Sequence, residues 1–252
     1  MELSERLQAV ADMVAEGSRV ADIGCDHGYT SIYLVKEGKC PHIIAMDVKK
    51  GPLERVKANV SKYLVSDYIE VRLSDGTEAL QEKEADTLLM SGMGGRLTIE
   101  ILKRTFMRLG KDFMLVLQPQ SEIFLVRAFL RDEGIKIIDE AMVLDQGKYY
   151  QVMKAGREEL WEGANGRSGK NQQSLAGSVC EGGVCEGREY SQAAEDYFGP
   201  VLLAKRPEIF LDFLKKEKEK TDAILLQVTK EERRQELLEY LDCVKEALYG
   251  KE

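Results

Sequence analysis

Along the first part of the chain, short apolar runs alternate with segments of helix length. The runs are Arg19 to Ile23, Ile43 to Met46, Ile69 to Leu73, Thr87 to Met90, Phe113 to Leu117, Ile135 to Ile138 and Tyr149 to Met153. Short runs rich in β-branched residues, separated by amphipathic stretches, predict parallel strands joined by crossover helices. Ahead of them, Leu3, Leu7, Val10, Ala11 and Val14 recur at helical spacing behind Ser4, a residue suited to cap a helix. Gly17 is the expected stop. The last two runs are separated by only ten residues, including Asp145-Gln-Gly147, which predicts a hairpin instead of a crossover. The fold class is therefore α/β: a doubly wound, mostly parallel, Rossmann-like sheet with one antiparallel edge strand.

Between Glu162 and Glu189 the pattern gives way to Gly, Ser, Asn, Gln and Cys with almost no large apolar residue. Such a stretch buries too little surface to offset its ordering entropy, and reads as a flexible insertion. Helical spacing returns from Ala193, and then over Pro207 to Gln227 and Lys230 to Tyr249, where charged residues surround stripes such as Leu237, Leu238, Leu241, Val244 and Leu248. The predicted organisation is a sheet domain over 1–158, a linker over 159–192 and a helical, coiled-coil-like C-terminal domain over 193–252.

Composition changes this picture in two ways. The formal net charge of −8 argues against binding polyanions over the whole surface, so a nucleic-acid partner would need a local basic face. No apolar run approaches the roughly 18 residues of a membrane span, and the N-terminus lacks a signal-peptide pattern, which predicts a cytoplasmic protein. The five cysteines form no CxxC pair and there are only two histidines, so no metal site is expected. For Cys180 and Cys185 a disulfide and an incidental pair of thiols both stand open, and a reducing compartment favours the thiols.

The first strand runs into Asp22, Gly24, Asp26 and Gly28 before a helix near Tyr29. A tight strand-to-helix turn needs glycine where backbone bends or lies against a ligand. The dinucleotide fingerprint is not met, because Asp26 and Tyr29 stand where its second and third glycines belong. A carboxylate at Asp26 repels a pyrophosphate but favours a cationic ligand, so Asp22 and Asp26 point to S-adenosylmethionine, with its sulfonium and ammonium groups. Asp47 ends the second strand 19 residues beyond Gly28, where an acidic side chain accepts both ribose hydroxyls; Val48 adjoins it. Asp75 and Gly76 follow the third strand, the position of contacts to the adenine amino group. Three such loops at successive strand ends define a cofactor site.

After the fourth strand comes Ser91-Gly-Met-Gly-Gly95. Gly92 and Met93 are placed for both cofactor and acceptor, since glycine lets substrate and backbone approach closely. The Asn-Pro-Pro-Tyr or Asp-Pro-Pro-Tyr motif of enzymes that methylate exocyclic amines is absent, which disfavours such an acceptor. The chain resembles the bacterial tRNA (adenine-22-N1)-methyltransferases, on Leu3-Ser-Glu-Arg-Leu7, Ala21-Asp-Ile-Gly-Cys-Asp-His-Gly-Tyr29, Asp47, Leu73 to Leu80, Gly92-Met-Gly-Gly95, Leu117-Gln-Pro-Gln120, Gly147-Lys-Tyr-Tyr150 and Phe198-Gly-Pro200. The resemblance implies a class I methyltransferase that moves a methyl group to N1 of an adenine in the tRNA D-arm region and releases S-adenosylhomocysteine. Cys25 and the long Glu162 to Glu189 stretch depart from the family pattern.

An unpaired adenine N1 attacks a sulfonium methyl without a strong base, so orientation carries much of the catalysis. His27 either orients the base and takes up a proton or caps the turn and meets the cofactor carboxylate. Gln118, with Gln120, either bonds the base edge or holds loop backbone. Met93 offers an apolar surface. Tied to RNA are Arg6, on the resemblance, and the run Arg96, Lys103, Arg104, Arg108 and Lys111, for which a solvated helix face is the alternative. A methyltransferase for a small molecule or protein, and a cofactor-binding scaffold without turnover, remain open at this stage, as do monomer and homodimer.

Overall fold

The computed structural model describes residues 1–157, 159 and 189–250. They fall into two compact units, within Met1–Arg167 and Ser168–Glu252. Residues 160–188 of the expected linker lie outside the described residues, as do Cys180 and Cys185.

In the first unit one sheet contains β1 (Arg19–Ile23), β2 (His42–Asp47), β3 (Ile69–Leu73), β4 (Thr87–Ser91), β5 (Met114–Gln118), β6 (Lys136–Asp145) and β7 (Lys148–Gly156). Their order is β3-β2-β1-β4-β5-β7-β6. The first five are parallel, and β7 is antiparallel to both of its neighbours. The single antiparallel strand thus lies one place in from the end of the sheet, and β6 closes that edge. The helices are α1 (Glu5–Met13), α2 (Tyr29–Lys36), α3 (Lys50–Lys62), α4 (Gly95–Leu109) and α5 (Ile123–Asp132).

The strands read as unbroken apolar runs because both sheet faces are covered. Val20, Ile43, Ala45, Leu89 and Val116 pack with residues of α1, α2 and α3. Their neighbours Ala21, Ile23, Ile44, Met46, Leu88, Leu115 and Leu117 pack with α4 and α5 on the other face. The strand order reverses between β1 and β4, and the crevice at such a switch point is where α/β sheets bind ligands.

Three local details bear on the sequence pattern, two of them with departures from it. Ser4 Oγ accepts from the Leu7 amide as the cap of α1, but the helix ends at Met13 because Val14 is extended, ahead of Gly17. Gln146 and Gly147 both have positive φ, 49° and 78°, as a two-residue hairpin turn requires. Finally, β6 runs well past Ile138 through Asp139 and Glu140. The Glu140 carboxylate is buried and accepts from Arg127 Nε of α5 at 2.9 Å, so a polar position belongs to the interior.

The second unit is helical: α6 (Gln192–Phe198), α7 (Pro200–Lys205), α8 (Glu208–Leu225) and α9 (Glu231–Tyr249). Phe198, Phe210, Leu214, Leu241 and Val244 are its buried centre. Ser191 caps α6 and also donates to Glu246 of α9 at 2.6 Å, while Arg206 donates to the terminal carbonyls of Ala247 and Leu248. Among the described residues no helix is long and apolar enough to cross a membrane.

Candidate active site

The loops at the C-terminal ends of β1 to β5 surround a cavity of about 710 Å³. That size suits a nucleoside-type ligand. Asp22, Gly24, Asp26, His27, Asp47, Val48, Asp75, Gly76, Gly92, Met93 and Arg6, all singled out from the sequence, line it.

The β1 loop is held by backbone: the amides of Gly24 and Cys25 both donate to Met46 O, at 2.8 and 3.1 Å. Gly24 has φ +75°, and a Cβ there would stand 2.8 Å from Met93 Cε. Glycine at this position therefore lets the β4 loop close over the β1 loop. Gly28 turns the chain into α2 with φ +71° and is not itself part of the lining. No side chain caps α2, so the first amides of that helix are left for the cavity.

The electrostatics separate the four aspartates. Asp22 is buried and accepts from Ser31 Oγ at 2.6 Å. Burial raises its carboxyl to about 6, against the lowering effect of the Ser31 hydroxyl, with Asp47 adding to the rise. Asp47 accepts from the Lys49 amide at 2.8 Å, a contact that fixes its rotamer at the end of β2. Asp26, with positive φ, is exposed and paired with Arg55 at 2.9 Å. Asp75 forms a two-point pair with Arg104, which holds its carboxyl below the usual range.

This donor set fits S-adenosylmethionine: carboxylates toward a sulfonium and an ammonium, uncapped amides toward a carboxylate, and no arrangement for a pyrophosphate. The raised Asp22 also predicts a pH effect. The folded state holds a proton that the unfolded chain, with the ordinary value of 3.8, has already lost, so stability without ligand falls as pH rises from about 4 to 6. Two units correspond to about 3 kcal/mol. Urea unfolding should show this decline in the wild type, and Asp22→Asn should flatten it.

His27 lies at the mouth, stacked on Tyr29 with centroids 5.5 Å apart and its Nε2 3.5 Å from Asp26. Gln118 is only 1% exposed and is absent from the lining, because Arg6 covers it. Arg6, tied to RNA by the resemblance, extends to the ends of β4 and β5 and lines the cavity there. The basic run on and just beyond α4 is largely engaged within the protein. Arg104 binds Asp75 and Glu78, Arg108 donates to the carbonyls of Thr77 and Leu80, Lys103 lies over the Phe129 ring, Lys111 meets Glu133, and Arg96 pairs with Glu122 at 2.5 Å. The apolar walls Leu97 and Ile101 were not anticipated, since a helical stripe reads as core wherever it points.

Residues 3–153 match the family model described as a methyltransferase domain. The chain is 30% identical over 246 residues to the tRNA (adenine(22)-N(1))-methyltransferase of Bacillus subtilis, covering 96% of this chain and 94% of that one. The crystal structure of the Bacillus subtilis tRNA methyltransferase TrmK superposes with a TM-score of 0.78 at 30% identity, covering 98% of this chain and 99% of that one. A Streptococcus pneumoniae protein in complex with S-adenosyl-L-methionine gives 0.77 at 28% identity, covering 98% and 100%.

Proposed function

The chain belongs to the tRNA (adenine-22-N1)-methyltransferase family, and from that membership we propose how its own residues divide the work. It is an S-adenosylmethionine-dependent enzyme that methylates N1 of adenine 22 in tRNA. The observation that carries this reading is an acid-lined cavity at the strand ends, in which Gly92 and Met93 of the β4 loop stand beside the aspartates at or just past the ends of β1, β2 and β3.

Bound in that cavity, S-adenosylmethionine supplies an electrophilic methyl group and leaves as S-adenosylhomocysteine. Asp47 takes the ribose hydroxyls, with Val48 against the adenine face and Asp75 and Gly76 at its edge. Arg104 serves this site by fixing Asp75. Asp22 and the first amides of α2 take the amino-acid end. Gly24 and Met93 set the separation between cofactor and acceptor, and His27 with Tyr29 forms an aromatic wall at the mouth. N1 needs no general base, because its lone pair attacks directly and the product keeps the positive charge. The base must first leave its stack, at a cost of a few kcal/mol. Arg96 and Lys103, both exposed on α4, are the RNA contacts outside the cavity. A tRNA substrate supports the reading of a cytoplasmic protein.

Incubation with labelled S-adenosylmethionine and unmodified tRNA should yield N1-methyladenosine at position 22; background incorporation by correctly folded protein would refute the assignment. Asp47→Ala is expected to weaken cofactor binding at least about tenfold, or about 1.4 kcal/mol, by calorimetry. Unchanged affinity would remove the ribose contact from this residue.

A further inference from the structure

Arg6 is held from four directions. Its backbone amide donates to Asp145 Oδ2 at 3.2 Å, at the end of β6. Its Nη1 donates to Gln118 Oε1 at 2.9 Å and to Ser91 Oγ at 3.2 Å, at the ends of β5 and β4. Its guanidinium carbon stands 5.6 Å from the centroid of the Tyr150 ring on β7. Fixing so long a side chain costs rotamer freedom, and these contacts offset that cost.

What they leave over is informative. Both hydrogens of Nη1 are used, whereas Nε and Nη2 have no partner among the described residues. A Cβ built on Gly92 would have two side-chain atoms within 4 Å: Gln120 Nε2 at 3.7 Å and Arg6 Nη1 at 3.9 Å. The space beside Gly92 is therefore bordered by the Arg6 guanidinium, which lines the cavity and keeps its Nε and Nη2 donors in reserve, and by an amide that can either donate or accept.

We propose that Arg6 reads the target base, its free N–H groups donating to adenine N7 while Gln120 accepts from the exocyclic amine. This rests on the acceptor being an adenine, as argued above. Of the adenine acceptors, N1 is the nucleophile and must face the cofactor. N3 has no donor beside it, but N7 does, so only the N7 edge matches an arginine next to a glutamine. A backbone phosphate is a poorer fit, because Arg6 is partly buried and anchored to the strand ends. Gln118 and Ser91 are then positioning residues, acting through Arg6.

The test uses the full chain with ligated tRNA carrying adenosine or 7-deazaadenosine at position 22. Arg6→Ala should lower the single-turnover rate about tenfold or more, with cofactor affinity within about twofold of wild type. The deaza base should slow the wild type by a similar factor and add less than about twofold to the variant. Arg6→Lys, which keeps the charge but loses the fork, should recover little and carries the comparison if the alanine variant folds poorly. Equal deaza losses in wild type and variant would overturn the proposal. So would an Arg6→Ala defect confined to KM and erased at low salt, the mark of a phosphate contact. A wild type without N1-methyladenosine on natural tRNA would instead remove the parent reading.

Discussion

Gly95→Ala is expected to lower kcat/KM on tRNA by about 100-fold or more while the protein remains folded. Gly95 begins α4, and its amide donates to Ser121 O at 3.0 Å. A Cβ there would lie 2.5 Å from Ser121 O and 2.8 Å from Glu122 O. Both are backbone atoms, so no side chain can turn aside, and the β4 and β5 loops must separate. A second tie between the same loops, Gln120 N to Met93 O at 2.8 Å, would be disturbed with them. Those loops carry Gly92, Met93 and Gln120, and a displacement of about 1 Å at a reacting centre typically costs about 10²-fold. Steady-state kinetics beside circular dichroism would check this; activity within about threefold of wild type would contradict it. Gly92 is a useful contrast, because space exists around it and only its φ of +88° opposes alanine. The strain there is worth roughly 1–3 kcal/mol.

The second large effect falls on stability. Arg127 and Glu140 have side chains 2% and 1% exposed, and Arg127 also donates from Nη2 to Gln151 of β7. Arg127→Ala takes the guanidinium away from a buried carboxylate and opens a cavity between α5 and the hairpin. Breaking such a pair typically costs about 3–5 kcal/mol, so the denaturation midpoint of the sheet unit should fall by many degrees. None of Arg127, Glu140 and Gln151 lines the cavity, so residual folded protein should keep its cofactor affinity. A loss under about 1 kcal/mol would mean that the pair contributes little beyond its own desolvation.

Those two residues also show where sequence reasoning stopped. Gly95 stood in a recognisable glycine loop, but nothing in its spacing says that Ser121 O is 2.5 Å from its missing Cβ. Glu140 interrupted an apolar run and so hid the rest of β6, because a buried charge is legible only once its partner is known. The strands, their parallel pairing and the three strand-end loops that line the cavity were legible, since alternation, glycine turns and strand-end aspartates are local features. The α4 arginines were not, because basic residues at helical spacing look alike whether they face phosphate or, like Arg104, bind Asp75.

By itself, then, the sequence determined the doubly wound sheet, the aspartates at the ends of β1 and β2, and a glycine loop in place of an amine-binding motif. Each follows from periodicity or from a backbone requirement that only certain residues satisfy. Tertiary structure decided the partners: that Asp22 is buried beside Ser31, that Gln118 is covered, and that Arg6 reaches from the leading helix to the ends of β4 and β5. Charge pairing and burial depend on distances between residues far apart in the chain, and only the packed sheet sets those distances.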